Sequence, residues 1–135
     1  MTLKLQLVKD NRVIYEMPLD VEQWTRPRIE RELKFVEREI EKIQAIHEML
    51  SSETRIRMLN SIIRNIDVRF SELMDQLAVN QKIVNENLER MRNRRLVNRY
   101  EKNPREVHYT ASRLGFASFL AMATIRRVMN ELETE

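Results

Sequence analysis

Hydrophobic and polar positions change period several times along this chain, and each change marks an element. Leu3, Leu5 and Leu7 alternate with Lys4 and Gln6. The turn residues of the stretch KDNR follow, and Val13, Ile14, Tyr15 and Met17 then resume a strand-type composition. Residues 3–17 are therefore predicted to form a β-hairpin. A lone hairpin is marginal in water, so it needs a helix or another chain to pack on. Thr25 followed by Pro27 suits a helix start. From there Ile29, Leu33, Val36, Ile40, Ile43, His47 and Leu50 recur at alternating intervals of four and three. This is a heptad seam with one polar position, on a helix of ~24 residues and roughly 36 Å. A narrow apolar stripe on a long charged helix fits a partner helix, from a second subunit or from the C-terminal helix of the same chain.

A third helix is predicted from SSETRIRMLNSIIRNI, capped by Ser51 or Ser52, with Ile56, Leu59, Ile63 and Ile66 towards a core. The stretch DVR breaks it. FSELMDQLAV then gives a helix of about two turns, with Ser71 as cap and Glu72 and Asp75 in its early turns. A further helix begins at Asn80-Gln81-Lys82 with Val84, Leu88 and Met91 inward. Strand-like LVNRYE and EVHYTA flank a turn over Lys102 to Arg105. The last segment, GFASFLAMATIRRVMNELE, is an amphipathic helix with Phe116, Phe119, Leu120, Ala123 and Val128 apolar. The fold class expected is mainly α with small β-hairpins.

Charge sharpens this layout. The net charge is only +3, but residues 90–105 hold seven Lys/Arg against one acid, Glu101. Residues 1–50 are close to neutral, so the electrostatic footprint lies where the helix from Asn80 gives way to the second hairpin. There is no Cys, which excludes disulfides and thiolate metal sites and fits a reducing cytoplasm. The N-terminus lacks a signal-peptide core, and the most apolar run, Gly115 to Ile125, is too short to span a bilayer. One Gly cannot build a phosphate loop, and no nucleophile elbow is present. Two His without Cys make a poor transition-metal site. No enzyme, cofactor, metal or membrane partner is expected, and a cytoplasmic location is.

Helix, short helix, turn, helix, hairpin, helix is the layout of a winged helix-turn-helix. SSETRIRMLNSII resembles the opening helix of the ArsR-type repressors. The run FSELMDQLAVNQKIVNENLERMRNRRLVNRYEKNPREVHYTASRLG is similar in phrasing to ArsR, HxlR and PadR-like regulators. The resemblance covers about residues 51–116. Arg95-Leu96-Val97 stands where those families usually have Gly-Leu-Val, and the N-terminal hairpin and long helix lie outside their common pattern. The resemblance implies a homodimeric, sequence-specific double-stranded DNA-binding regulator. Its parts would be a dimerisation arm over 1–50, a winged helix over 51–111, and a C-terminal helix over 112–135 that joins the dimer with helix 27–50.

With Val84, Leu88 and Met91 inward, Lys82, Asn85, Glu86, Glu89 and Asn93 point outward at 100° per residue. Gln81, Lys82, Asn85 and Glu86 lie near the N-terminal end, where recognition helices reach base edges. Gln and Asn pair with adenine, Lys reads guanine or phosphate, and Glu accepts from cytosine. Arg90, Arg92, Arg94 and Arg95 follow at the helix end, where cations also favour the helix dipole. Arg99, Lys102 and Arg105 ride on the wing, positioned for phosphate or the minor groove. The DNA-binding set is thus Gln81, Lys82, Asn85, Glu86, Arg90, Arg99, Lys102 and Arg105. Glu86 and Glu89 oppose a phosphate fit unless they read bases. The alternative is a non-enzymatic protein–protein assembly module on a winged helix. His47 is expected as a partly buried seam residue, and His108 at a backbone or phosphate contact.

Overall fold

The computed structural model describes residues 3–134. Its contacts divide the chain into two units, the first ending at Ile43 and the second beginning at Gln44.

In the first unit, β1 (Lys4–Lys9) pairs antiparallel with β2 (Arg12–Pro18), with Leu5 opposite Met17 and Leu7 opposite Tyr15. Asp10 and Asn11 both take positive φ, 51° and 62°, as a tight two-residue hairpin turn requires. A 3-10 turn, Val21–Gln23, leads to α1 (Arg26–Arg38), whose Thr25 hydroxyl accepts from the Arg28 N–H. The hairpin is tied to α1 by polar bonds. Tyr15 donates to Glu32 at 2.6 Å, and Arg28 donates to the carbonyl of Glu16 while lying 4.6 Å over the Trp24 ring. The helix expected to run unbroken from 27 to 50 is interrupted at Glu39. Backbone geometry there leaves the α region (φ −105°, ψ 11°), and α2 (Ile40–Met49) starts afresh.

The second unit holds the core. α3 (Glu53–Asn65) is capped by Ser52, and buries Met58, Leu59 and Ile62. Each such side chain contributes about 1.5–3 kcal/mol relative to exposure. The expected core face was rotated: Ile63 is only partly buried, and Ile66 is 79% exposed. Ile66 takes φ 65° and ψ −51°, and the Asp67 N–H donates to the Asn65 carbonyl at 2.6 Å, so α3 ends in a tight γ-turn. The DVR break also contains a strand. β3 (Val68–Arg69) pairs antiparallel with residues 108–109 of the second hairpin, a short pairing that composition did not reveal.

α4 (Phe70–Leu77) starts at Arg69, not at a Ser71 cap; the Glu72 carboxylate accepts from the Arg69 N–H at 3.2 Å and from its Nε at 2.9 Å. Ala78 in the left-handed region ends α4, and Asn80 caps α5 (Gln81–Asn93) by accepting from the Ile83 N–H at 2.9 Å. Val84, Leu88 and Met91 face inward as the spacing predicts. β4 (Val97–Asn103) and β5 (Glu106–Ala111) form the second hairpin, irregular between Glu101 and Asn103, in a sheet ordered β3-β5-β4. α6 (Arg113–Glu133) closes the unit, with Ser112 accepting from the Gly115 N–H. α2 spans the division between units. Its end packs on the core, with Met49 buried and Ile46 and Leu50 partly so. These last turns therefore group with the second unit, although they were expected in the first. No helix of the described residues is long and apolar enough to cross a membrane.

Candidate nucleic-acid interface

The second hairpin and α5 share a cleft. Gln81 and Asn85 project into it from the first turns of α5, and Arg99 and Arg105 from β4 and the hairpin turn. Arg69 and Ser71, at the start of α4, line the same opening, whose volume is about 600 Å³. Asn80 fixes where α5 begins, and hence which residues stand in its first turns. The β4–β5 register fixes the hairpin: Arg99 stands opposite Tyr109, whose side chain is buried at 7% exposure. Arg105 is held at the turn by its N–H, which donates to the Asn103 side chain at 3.0 Å. Its guanidinium makes no ion pair among the described residues, whereas Arg99 lies 3.4 Å from Glu101.

Four of the eight residues singled out from the sequence thus open onto one cleft: Gln81, Asn85, Arg99 and Arg105. Lys82 and Glu86 lie on the exposed face of α5 outside it, and Lys102 is exposed on β4. Arg90 is elsewhere. At 100° per residue it lies 140° around the helix from Asn85. It lines a second opening of about 460 Å³ with Arg55, Arg94 and Glu48. Arg55 is anchored there by donating to the carbonyls of Met49 (2.7 Å) and Glu48 (3.1 Å). The density of arginines along the sequence therefore divides in space between two faces of α5. Glu89 is paired with Arg92 at 3.6 Å, which moderates one of the two carboxylates that oppose phosphate.

Sequence reasoning missed Arg69 and Ser71, because a two-residue strand leading into a helix carries too little pattern to be found. It also left the role of His108 open. That imidazole is 8% exposed, with Nδ1 2.7 Å from Asp67 Oδ1 and Nε2 3.3 Å from Glu106 Oε2, so it lies between two carboxylates. Arg95 has φ 62°, which is the backbone need that a glycine at this place would meet; here Ser112 donates to its carbonyl at 2.6 Å.

No protein-family model and no curated protein matches the chain. Solved structures do. The transcriptional repressor BigR from Xylella fastidiosa superposes with a TM-score of 0.59 at 14% identity, over 70% of this chain and 93% of its own. A MarR-family protein from Enterococcus faecalis V583 gives 0.61 at 21%, over 69% and 86%. Reduced HlyU from Vibrio cholerae N16961 gives 0.59 at 22%, over 68% and 96%. The fold is a winged helix-turn-helix. In its terms α4 and α5 are the helix-turn-helix, and β4–β5 is the wing. The fold class and the winged-helix resemblance expected from the sequence are both met, and neighbours of this kind are transcriptional regulators.

Proposed function

We propose that the protein is a sequence-specific double-stranded DNA-binding regulator, acting as a homodimeric repressor. One observation carries this reading. The polar residues best suited to base edges, Gln81 and Asn85, and the cations best suited to backbone, Arg99 and Arg105, line one cleft. Groove-inserted helices need both: base contacts specify, and phosphate contacts hold register. Arg69 and Ser71, beside them, add a donor pair at the start of α4. Lys82 and Glu86 complete the presented face, with Lys102 on the outer side of the wing.

A second copy is part of the proposal. Along α6, Phe116, Leu120, Ile125 and Met129 are 44–53% exposed, although Phe119 and Gly115 of the same helix face its own core. The exposed seam of α1 and α2, Leu33, Val36 and Ile40, is flanked by Glu30, Glu32, Glu37 and Glu39. Seam against seam sets carboxylate near carboxylate whichever way the helices run. α6 offers Arg113 and Arg127 instead, so helix 27–50 against the C-terminal helix of a second copy is the electrostatically favoured pairing. Two recognition helices related by a two-fold axis would then read a roughly palindromic site, and occupancy would block transcription.

The test is retention of random duplex in a gel shift across a salt series. Steep loss of binding with salt supports the reading. No binding at low salt overturns it in favour of a protein–protein assembly module.

A further inference from the structure

His108 sits between two carboxylates. Its Nδ1 is 2.7 Å from Asp67 Oδ1 and its Nε2 3.3 Å from Glu106 Oε2, while the ring stacks on Tyr100 with centroids 5.3 Å apart. Tyr100 in turn donates its hydroxyl to the second oxygen of Asp67. Nε2 is buried and has no hydrogen bond of regular geometry. A neutral imidazole has one N–H. Placed on Nδ1, it bonds Asp67 and leaves the Nε2 lone pair facing Glu106. Placed on Nε2, it leaves the Nδ1 lone pair facing Asp67. Only the doubly protonated ring serves both carboxylates.

The groups joined come from separate parts of the winged helix. Asp67 lies in the γ-turn that ends α3, Tyr100 on β4, and Glu106 and His108 on β5. Glu106 is also 3.5 Å from Arg69 Nη1, and Arg69 Nε is 2.9 Å from Glu72 in the first turn of α4. Lys102 adds a positive field at Asp67. Both Glu106 and Arg69 line the cleft described above.

We infer that protonated His108 is a latch that fixes the wing to the turn between α3 and β3, and that its loss of a proton releases Glu106 and loosens the cationic cleft. The consequence for DNA rests on the function proposed above; the latch itself does not. The hydrogen bond from Asp67 raises the pKa of His108 above its ordinary value; burial opposes this, and Glu106 adds to the rise. Asp67 is held below the usual carboxylate range, first by Tyr100 and then by His108. The folded state therefore gains from the proton at low pH, and the gain is lost as pH rises through the folded-state pKa, above about 6.5.

Histidine nitrogen shifts and backbone amide spectra of the full chain, recorded from about pH 6 to 9, test the latch. The expected result is a His108 midpoint above 6.5, with the amides of Tyr100 and Glu106 shifting at that same midpoint. His108→Gln should remove the shift, Glu106→Gln should lower the midpoint, and His47→Gln should change neither. If His108→Gln does not fold, the Glu106→Gln midpoint decides. A His108 midpoint at or below 6.5, or wing amides that ignore it, overturns the inference. In the second arm, random-duplex affinity at fixed salt should fall across this range by several-fold. The limit for one linked proton is about tenfold per pH unit. Salt-sensitive binding that is flat with pH overturns the link to the cleft. Absent DNA binding with a titrating wing supports the latch and removes only the DNA reading.

Discussion

Gly115 lies directly against the carbonyl of Leu96. A Cβ built on it would fall well inside contact distance of the Leu96 oxygen and 2.9 Å from its carbonyl carbon. The same carbonyl accepts from the Ser112 N–H at 2.9 Å, so the start of α6 is docked against the backbone just before β4. This is the one glycine in the chain, and the Leu96 backbone, held beside the buried Leu96 and Val97 side chains, has little room to give way.

Gly115→Ala should therefore destabilise the fold by about 3 kcal/mol, the upper end for overpacking a tight site. Chemical denaturation measures it. A loss of only a few tenths would mean that α6 docks differently.

Ile66 makes the opposite case. A β-branched residue at positive φ is strained by roughly 1–3 kcal/mol, and at 79% exposure its side chain recovers little by packing. Ile66→Gly relieves the strain at an unfolded-state cost of about 0.5–1 kcal/mol. The expected outcome is a protein more stable by about 1 kcal/mol. A destabilised variant would show that the turn is not under strain.

Arg99 and Arg105 are proposed to hold phosphate. Replacing both by Ala should weaken binding to every duplex alike and reduce the log–log salt slope by about 1.8, the release expected for two phosphate contacts. Asn85→Ala should act differently. Losing a base contact costs about 1–3 kcal/mol of discrimination at one position while leaving the salt slope alone. Binding-site selection and a salt titration separate the two behaviours, and identical profiles for the two variants would undo the division of labour.

Arg90 shows how far the sequence could be read. Periodicity was enough to put Val84, Leu88 and Met91 in the core, because burial follows the helical repeat directly. The strands of the wing and the turn before Asn80 also follow from local chemistry. A run of arginines has no such guide. Arg90 follows Asn85 closely in sequence, yet faces Arg55 and α2, because five residues carry it 140° beyond a full turn, to the other flank. The break at Glu39 and the Asp67–His108 pair depend on contacts between distant residues, and no single-segment pattern contains them. Arg90→Ala should accordingly reduce DNA affinity less than Arg105→Ala in the same salt. Equal losses would place both faces of α5 on the nucleic acid.

The subunit pairing proposed above draws on two faces of α6. Phe119 is committed to the core of its own chain, and exposed Phe116 and Leu120, 40° apart on a neighbouring face of α6, are the residues proposed to meet a partner. Leu120→Glu puts a carboxylate on that face without touching the core. Set against the glutamate-flanked seam of α1, it adds like charge where Arg113 and Arg127, on the same face of α6, offer opposite charge. Light scattering should show the parent chain as a dimer and Leu120→Glu as a monomer. Leu120→Arg, which offers α1 the charge that complements its glutamates, should retain more dimer than Leu120→Glu. Equal disruption by both would mean that α6 meets something other than α1, its own counterpart being the simplest choice.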